Sequence, residues 1–291
     1  MMKITEGYVP FKGYDTYYRI VGDMNSGKTP LLALHGGPGM AHNYLLSLDA
    51  IAETGRAVIY YDQTGCGKSV TPPRPDVWSV ELFEEELVAM REALGLDEIH
   101  LLGQSWGGML AMQYATHGPK GIKSMILASS VSSMPLWQQE ALRLRSYLPA
   151  EMEQALIQAD IDGDFDRPEV VAATDEYYRR HVCKLDPQPD YVDATFEQMG
   201  AVYMDMQGPS EFNCVGKIRT WDVTDDLHKI TIPTLLTSGT DDEATPLIVK
   251  TIYDRIPDCR WELIPGGTHL VHVEYAEAYN KLIEAFMAEH D

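Results

Sequence analysis

One serine in the chain is framed as a nucleophile would be. In Gly103-Gln104-Ser105-Trp106-Gly107-Gly108 a glycine stands two positions before it and another two positions after. The apolar run Ile99 to Leu102 precedes this turn and the helix-like Met109 to Ala115 follows it. A turn so tight lifts Ser105 to a strand's carboxyl end and faces it with a helix N-terminus. Backbone N–H groups at such a terminus can hold an oxyanion. A second cluster, His35-Gly36-Gly37-Pro38-Gly39, directly follows the run Leu31 to Leu34. Adjacent glycines let the backbone approach a substrate, so the Gly37 N–H can join that of Trp106 in an oxyanion hole. His35 precedes the turn and reads as structural.

A serine hydroxyl needs a base, and the base needs an orienting acid. Gly239-Thr240-Asp241-Asp242 follows the run Thr234 to Thr237, and Gly266-Gly267-Thr268-His269 follows Arg260 to Ile264. Both fall at carboxyl ends of predicted strands, the edge where parallel sheets place their sites. His269 is the expected base, with His272 as its rival, and the acid is Asp242 or its neighbour Asp241. Two other motifs fail. Gly65-Cys66-Gly67-Lys68-Ser69 ends like a phosphate-binding loop, but Asp62 stands where that loop needs its first glycine. In Asp160-Ile161-Asp162-Gly163-Asp164 the glycine comes too early for a calcium loop, and Val171 occupies the closing glutamate's place. No histidine–carboxylate cluster suggests a metal, and no cofactor is expected.

The elements that must position these residues follow from periodicity. Gly7 to Val21 alternates apolar and polar residues around Lys12-Gly13, as a hairpin would. Leu31 to Leu34, Ala57 to Tyr61, Ile99 to Leu102 and Met125 to Ala128 are apolar throughout, as central parallel strands are. Val80 to Leu94 places apolar residues along one helical face, with Gly95 as its stop. From Pro135 to about Trp221 the pattern becomes helical, including Leu136 to Leu148 and Glu151 to Ala159. Strands then return, and an amphipathic helix from about Tyr275 to Ala288 closes the chain. The expected fold is α/β, with a mostly parallel central sheet and a helical cap insertion. Residues 1–130 and 223–291 would form the core, and residues 131–222 the cap.

Composition limits the function further. The 291 residues are 45% hydrophobic and 23% charged, ordinary for a globular chain. With 23 basic and 44 acidic residues the net charge is −21, which repels a phosphate backbone and argues against nucleic acid. No apolar run nears the ~20 residues that span a bilayer. The N-terminus lacks the pattern of a signal peptide. The expectation is a cytoplasmic protein, bound neither to nucleic acid nor to membrane. Its four scattered cysteines, Cys66, Cys183, Cys214 and Cys259, are then expected as thiols.

Taken together, His35 to Gly39, Tyr61-Asp62-Gln63-Thr64-Gly65-Cys66-Gly67-Lys68-Ser69 and Gly103 to Gly108 resemble the prolyl aminopeptidases (proline iminopeptidases) of the α/β-hydrolase fold. The likeness extends over nearly the whole chain and is nearest the shorter branch of lactic bacteria and the archaeal tricorn-interacting aminopeptidase. It implies the chain order Ser105, Asp242, His269, because the family's acid lies three residues after the glycine. It implies release of an N-terminal residue, preferentially proline, through an acyl-enzyme, from short peptides or amino-acid amides. In that family acidic side chains hold the substrate's free amine, and the matching positions are Glu211, in Gly208-Pro209-Ser210-Glu211-Phe212, and Glu243. Tyr203 is a further member of this clamp. An ammonium group in a partly dehydrated pocket does need anionic acceptors. Trp137, Tyr147 and Phe212 are candidates to line the side-chain pocket. Trp106 and Thr64 depart from the family's usual residues and leave substrate preference open. The rival readings are an amidase or small-ester hydrolase with the same triad, and a non-catalytic ligand-binding protein.

Overall fold

The computed structural model describes residues 2–70 and 72–291. The chain opens with a hairpin of β1 (Ile4–Phe11) and β2 (Tyr14–Val21). Lys12 and Gly13 turn it with φ of 48° and 86°, the left-handed pair whose twist suits two flanking strands. Six more strands follow: β3 (Leu31–Leu34), β4 (Val58–Tyr61), β5 (Ile99–Gln104), β6 (Ile122–Ala128), β7 (Thr234–Gly239) and β8 (Cys259–Ile264). They form one eight-stranded sheet in the order β1-β2-β4-β3-β5-β6-β7-β8. β2 runs antiparallel to both its neighbours, and every pairing from β4 to β8 is parallel.

β3, β4, β5 and β7 are buried at every residue, which accounts for their unbroken apolar runs. Alternate side chains enter opposite layers. Leu32, Leu34, Ile59, Leu101 and Leu236 share a core with α1 (Val80–Ala93) and α2 (Trp106–Thr116). Leu31, Ala33, Val58, Tyr60 and Leu235 pack instead with a 3-10 segment, His42–Thr54, and with the C-terminal helix. The 3-10 segment has no counterpart among the expected elements. Its buried Tyr44, Leu45, Leu48 and Ile51 nonetheless lie at helical spacing. At the sheet's edge β8 is only partly buried.

Between β6 and β7 come α3 (Met134–Arg145), α4 (Ala150–Asp162), α5 (Pro168–His181), α6 (Asp190–Glu197) and α7 (Ala201–Met206), then 3-10 segments at Lys217–Thr220 and Thr224–Lys229. Two are marked by local chemistry. The Ser133 hydroxyl caps α3, and Pro168 opens α5 where its missing N–H is no loss. After β7 come α8 (Pro246–Tyr253), α9 (Val271–Glu274) and α10 (Ala276–Ala288). The calcium-like stretch is the C-terminal stop of α4, where Asp162 accepts the Asp164 N–H. Among the described residues no helix is long and apolar enough to cross a membrane.

Candidate active site

β5 ends in the turn expected to carry the nucleophile. Ser105 sits at φ 55° and ψ −123°, a conformation rare for a residue with a side chain and costing of order 1–3 kcal/mol. The surrounding structure holds it there: its N–H donates to Ala128 O at 2.9 Å, and Ser130 Oγ donates to its carbonyl at 2.8 Å. Gly107 brings α2 against β3 so closely that a Cβ would stand 2.2 Å from Leu34 O. Gly39 serves the second loop in the same way. Its φ is +116°, and a Cβ there would lie 2.5 Å from the Tyr203 nitrogen of α7. Gly37, Ser105 and Trp106 consequently line one small, tight cavity.

The ends of β7 and β8 bring in an acid and an imidazole. His269 Nδ1 donates to Asp242 Oδ1 at 2.9 Å, and the Ala244 N–H donates to the same oxygen at 2.7 Å. That proton on Nδ1 leaves Nε2 as the ring's acceptor. The His269 ring meets Trp137 edge-on at 6.0 Å, and Trp137 lines the cavity with Ser105. Asp241 is exposed, and His181 Nδ1 donates to its carbonyl. His272 is buried between Tyr44 and Tyr279; burial pushes its ring down to about 3, and Nε2 donates to Tyr44 O. The carbonyl of His181, at the end of α5, accepts the N–H of both Glu243 and His269.

Two buried hydrogen-bonded struts tie these loops together. In the first, the Gly36 N–H donates to the Tyr44 hydroxyl, which donates to Gln104 Oε1, each at 2.6 Å. Gln104 Nε2 then donates to His269 O at 3.3 Å. In the second, His35 Nε2 accepts the Gln63 N–H, and Gln63 Oε1 accepts from Trp106 Nε1 at 2.8 Å. Burial pushes the His35 ring down to about 4, so it serves here as a neutral strut. Tyr44, Gln63 and Gln104 join the loops through contacts that the sequence does not announce. Gln104 occupies a variable place in its motif, and its partner Tyr44 lies 60 residues away.

The stretch between β6 and β7 supplies the cavity's polar end, with Gln207 and Glu211. Glu211 lines it, and the Tyr203 hydroxyl donates to Glu211 Oε1 at 2.8 Å. Glu243 is buried nearby with neither oxygen hydrogen-bonded among the described residues, and its Oε1 is 3.8 Å from His269 Nε2. Burial raises the proton affinity of both carboxyls, and for Glu243 the charges of Glu211 and Asp242 add to it. The remaining walls are Met109, Val131, Met134, Trp137, Gln207 and Ile218. Two of the expected pocket aromatics lie elsewhere. Tyr147 is 61% exposed, bonded to Arg143 on the outer surface. Phe212 packs among buried apolar side chains, 4.9 Å from the Tyr177 ring. Among the described residues no group of three or more His, Cys, Asp or Glu side chains is arranged to hold a metal ion.

Residues 29–276 match the family model described as the alpha/beta hydrolase fold. Over the full length of both chains, the sequence is 46% identical to the proline iminopeptidase of Clostridium botulinum. The crystal structure of the proline iminopeptidase of Mycobacterium smegmatis is 40% identical and superposes with a TM-score of 0.90, covering 98% of each chain. The crystal structure of VinJ is 38% identical, with a TM-score of 0.96 over 99% of each chain. The chain belongs to the proline iminopeptidase family. Because the likeness to that family spans the whole length, it includes the helices between β6 and β7 as well as the sheet. Every residue lining the cavity falls within the stretch that matches the hydrolase model.

Proposed function

We propose that this chain is a serine aminopeptidase that releases the N-terminal residue, preferentially proline, from short peptides or amino-acid amides with a free α-amine. One observation carries the reading: of two buried carboxyls, Glu211 lines the cavity of Ser105 and Glu243 lies 3.8 Å from His269 Nε2, with no hydrogen-bond partner among the described residues. Negative charge would otherwise hinder a reaction that itself builds an oxyanion. A buried carboxyl without a donor is costly, and a substrate ammonium supplies the missing donor. The small apolar walls suit a compact aliphatic ring, and the names of the relatives agree with proline.

Ser105 Oγ attacks the carbonyl of the first residue as His269 Nε2 takes its proton, and Asp242 steadies the resulting imidazolium. The N–H groups of Gly37 and Trp106 receive the oxyanion, each worth about 2.7–4 kcal/mol of barrier by the usual effect of removing such a donor. His269 then protonates the leaving amine, and water resolves the acyl-enzyme. With the amine fixed at Glu211, assisted by Tyr203, and at Glu243, only the first peptide bond reaches Ser105. Residues 131–222 act as the cap that carries Glu211. The free cysteines fit work in the reducing cytoplasm.

The test is hydrolysis of prolyl, alanyl and leucyl β-naphthylamides by the wild type beside Ser105→Ala. Faster turnover of the prolyl compound, lost in Ser105→Ala, is expected. Equal rates on all three would remove the proline preference, and activity retained by Ser105→Ala would remove the nucleophile.

A further inference from the structure

Of the residues lining the cavity, three carry a side-chain oxygen: Ser105, Gln207 and Glu211. Ser105 is the nucleophile and Glu211 a carboxyl of the amine clamp, which leaves Gln207 without a part. It directly follows α7 and is only 2% exposed. Its Nε2 donates to Ser210 O at 3.3 Å and to Glu211 O at 3.4 Å. Two carbonyls on that side fix which way the amide points, because an oxygen facing them would be repelled. Oε1 is the end left over, and it accepts no hydrogen bond among the described residues. The Glu211 carbonyl is already served twice, since Trp137 Nε1 also donates to it at 2.8 Å. The cavity thus holds one neutral acceptor with nothing to accept, beside the backbone of a clamp residue. A buried polar atom left in that state calls for a partner.

The substrate's first nitrogen says what that partner is. An N-terminal proline is a secondary ammonium with two N–H bonds, and Glu211 and Glu243 can take one each. Any other N-terminal residue is a primary ammonium with three. We propose that Gln207 Oε1 accepts the third N–H of a primary ammonium and so sets how far the enzyme acts on residues other than proline. The inference rests on the amine-clamp reading above. Without that oxygen a charged N–H would lose its water and gain no acceptor. Secondary amines escape the penalty because they have no third N–H. A neutral amide also suits the place, because a third carboxylate there would oppose the oxyanion that forms on attack. Selection for proline then has two sources: apolar walls that suit the ring, and an acceptor count that decides the cost of every alternative.

The test uses two substrates that differ in N–H count and in little else, alanyl and N-methylalanyl β-naphthylamide. Gln207→Met keeps the side chain's length and loses its oxygen. Its kcat/KM for the alanyl compound should fall about tenfold to a hundredfold further than that for the N-methylalanyl compound. Gln207→Glu, which restores an oxygen, should return the ratio to the wild-type value or past it. A general disturbance of Glu211 would slow both substrates alike, so an unchanged ratio in Gln207→Met would overturn the proposal. A second measurement needs no change at Gln207: the crystal structure of Ser105→Ala with L-alaninamide. The amine nitrogen should lie about 2.7–3.2 Å from Gln207 Oε1 while it is held by the two carboxylates. An amine on the carboxylates with Oε1 turned away would overturn this inference and leave the clamp standing. An amine bound away from both glutamates would overturn the clamp and the inference with it.

Discussion

Tyr44→Phe cuts the strut between the oxyanion loop and the nucleophile while keeping the ring. The hydroxyl accepts from the Gly36 N–H and donates to Gln104 Oε1, and both partners are buried. Its loss leaves one donor and one acceptor unpaired, each worth about 1–3 kcal/mol. Gly36 adjoins Gly37, and Gln104 adjoins Ser105 and reaches His269 O, so much of that cost falls on catalytic geometry. About 1.4–2.8 kcal/mol of it appearing in the barrier would lower kcat by about tenfold to a hundredfold. Tyr44 does not line the cavity, so KM should hardly move. Steady-state hydrolysis of prolyl β-naphthylamide measures both constants, with thermal unfolding as the check that the variant folds. A folded variant with unchanged kcat, or one whose loss is entirely in KM, would refute the strut's role.

Glu211→Gln keeps a partner for the Tyr203 hydroxyl but removes a charge worth about 1.5–3 kcal/mol to a bound ammonium. Its kcat/KM for prolyl β-naphthylamide should fall roughly tenfold to a hundredfold, and an unchanged value would remove Glu211 from the clamp. His269→Ala should abolish turnover, while His272→Gln should keep most of it, because His272 donates to Tyr44 O and not to substrate. Comparable losses in the two variants would contradict that division. Glu86, buried under the hydroxyls of Thr16 and Thr64, is raised by burial to about 7. The folded state therefore holds a proton that the unfolded state releases near 4.5, and stability declines as pH rises from there through 7. At 1.36 kcal/mol per unit the decline amounts to roughly 3 kcal/mol by pH 8. Denaturant unfolding of Glu86→Gln should lack it, and a wild-type curve flat over that range would contradict the assignment.

How much was legible in the sequence depended on whether the deciding contact was local. The turn at Ser105 is local: the glycines that permit it lie within two positions, and strand and helix flank it directly. The choice between Asp241 and Asp242 is not. Both follow the same strand, and only the packing of the β7 and β8 ends turns one carboxylate inward to His269 and leaves the other exposed. Resemblance to a family supplied Glu211 and Glu243, since no periodicity marks a cap residue as facing a site. Tyr147 shows the limit of composition, because an aromatic beyond a helix end can lie flat on the surface with an arginine beside it. The strut of Gly36, Tyr44, Gln104 and His269 joins four separate segments, and no short pattern could reveal it.

The most direct test compares prolyl β-naphthylamide with its N-acetylated form on the wild-type enzyme. Acetylation removes the ammonium and changes nothing at the scissile bond. The account predicts rapid cleavage of the free-amine compound and none detectable of the acetylated one. Comparable turnover of both would contradict it, because Glu211 and Glu243 would then have no part in selecting the substrate.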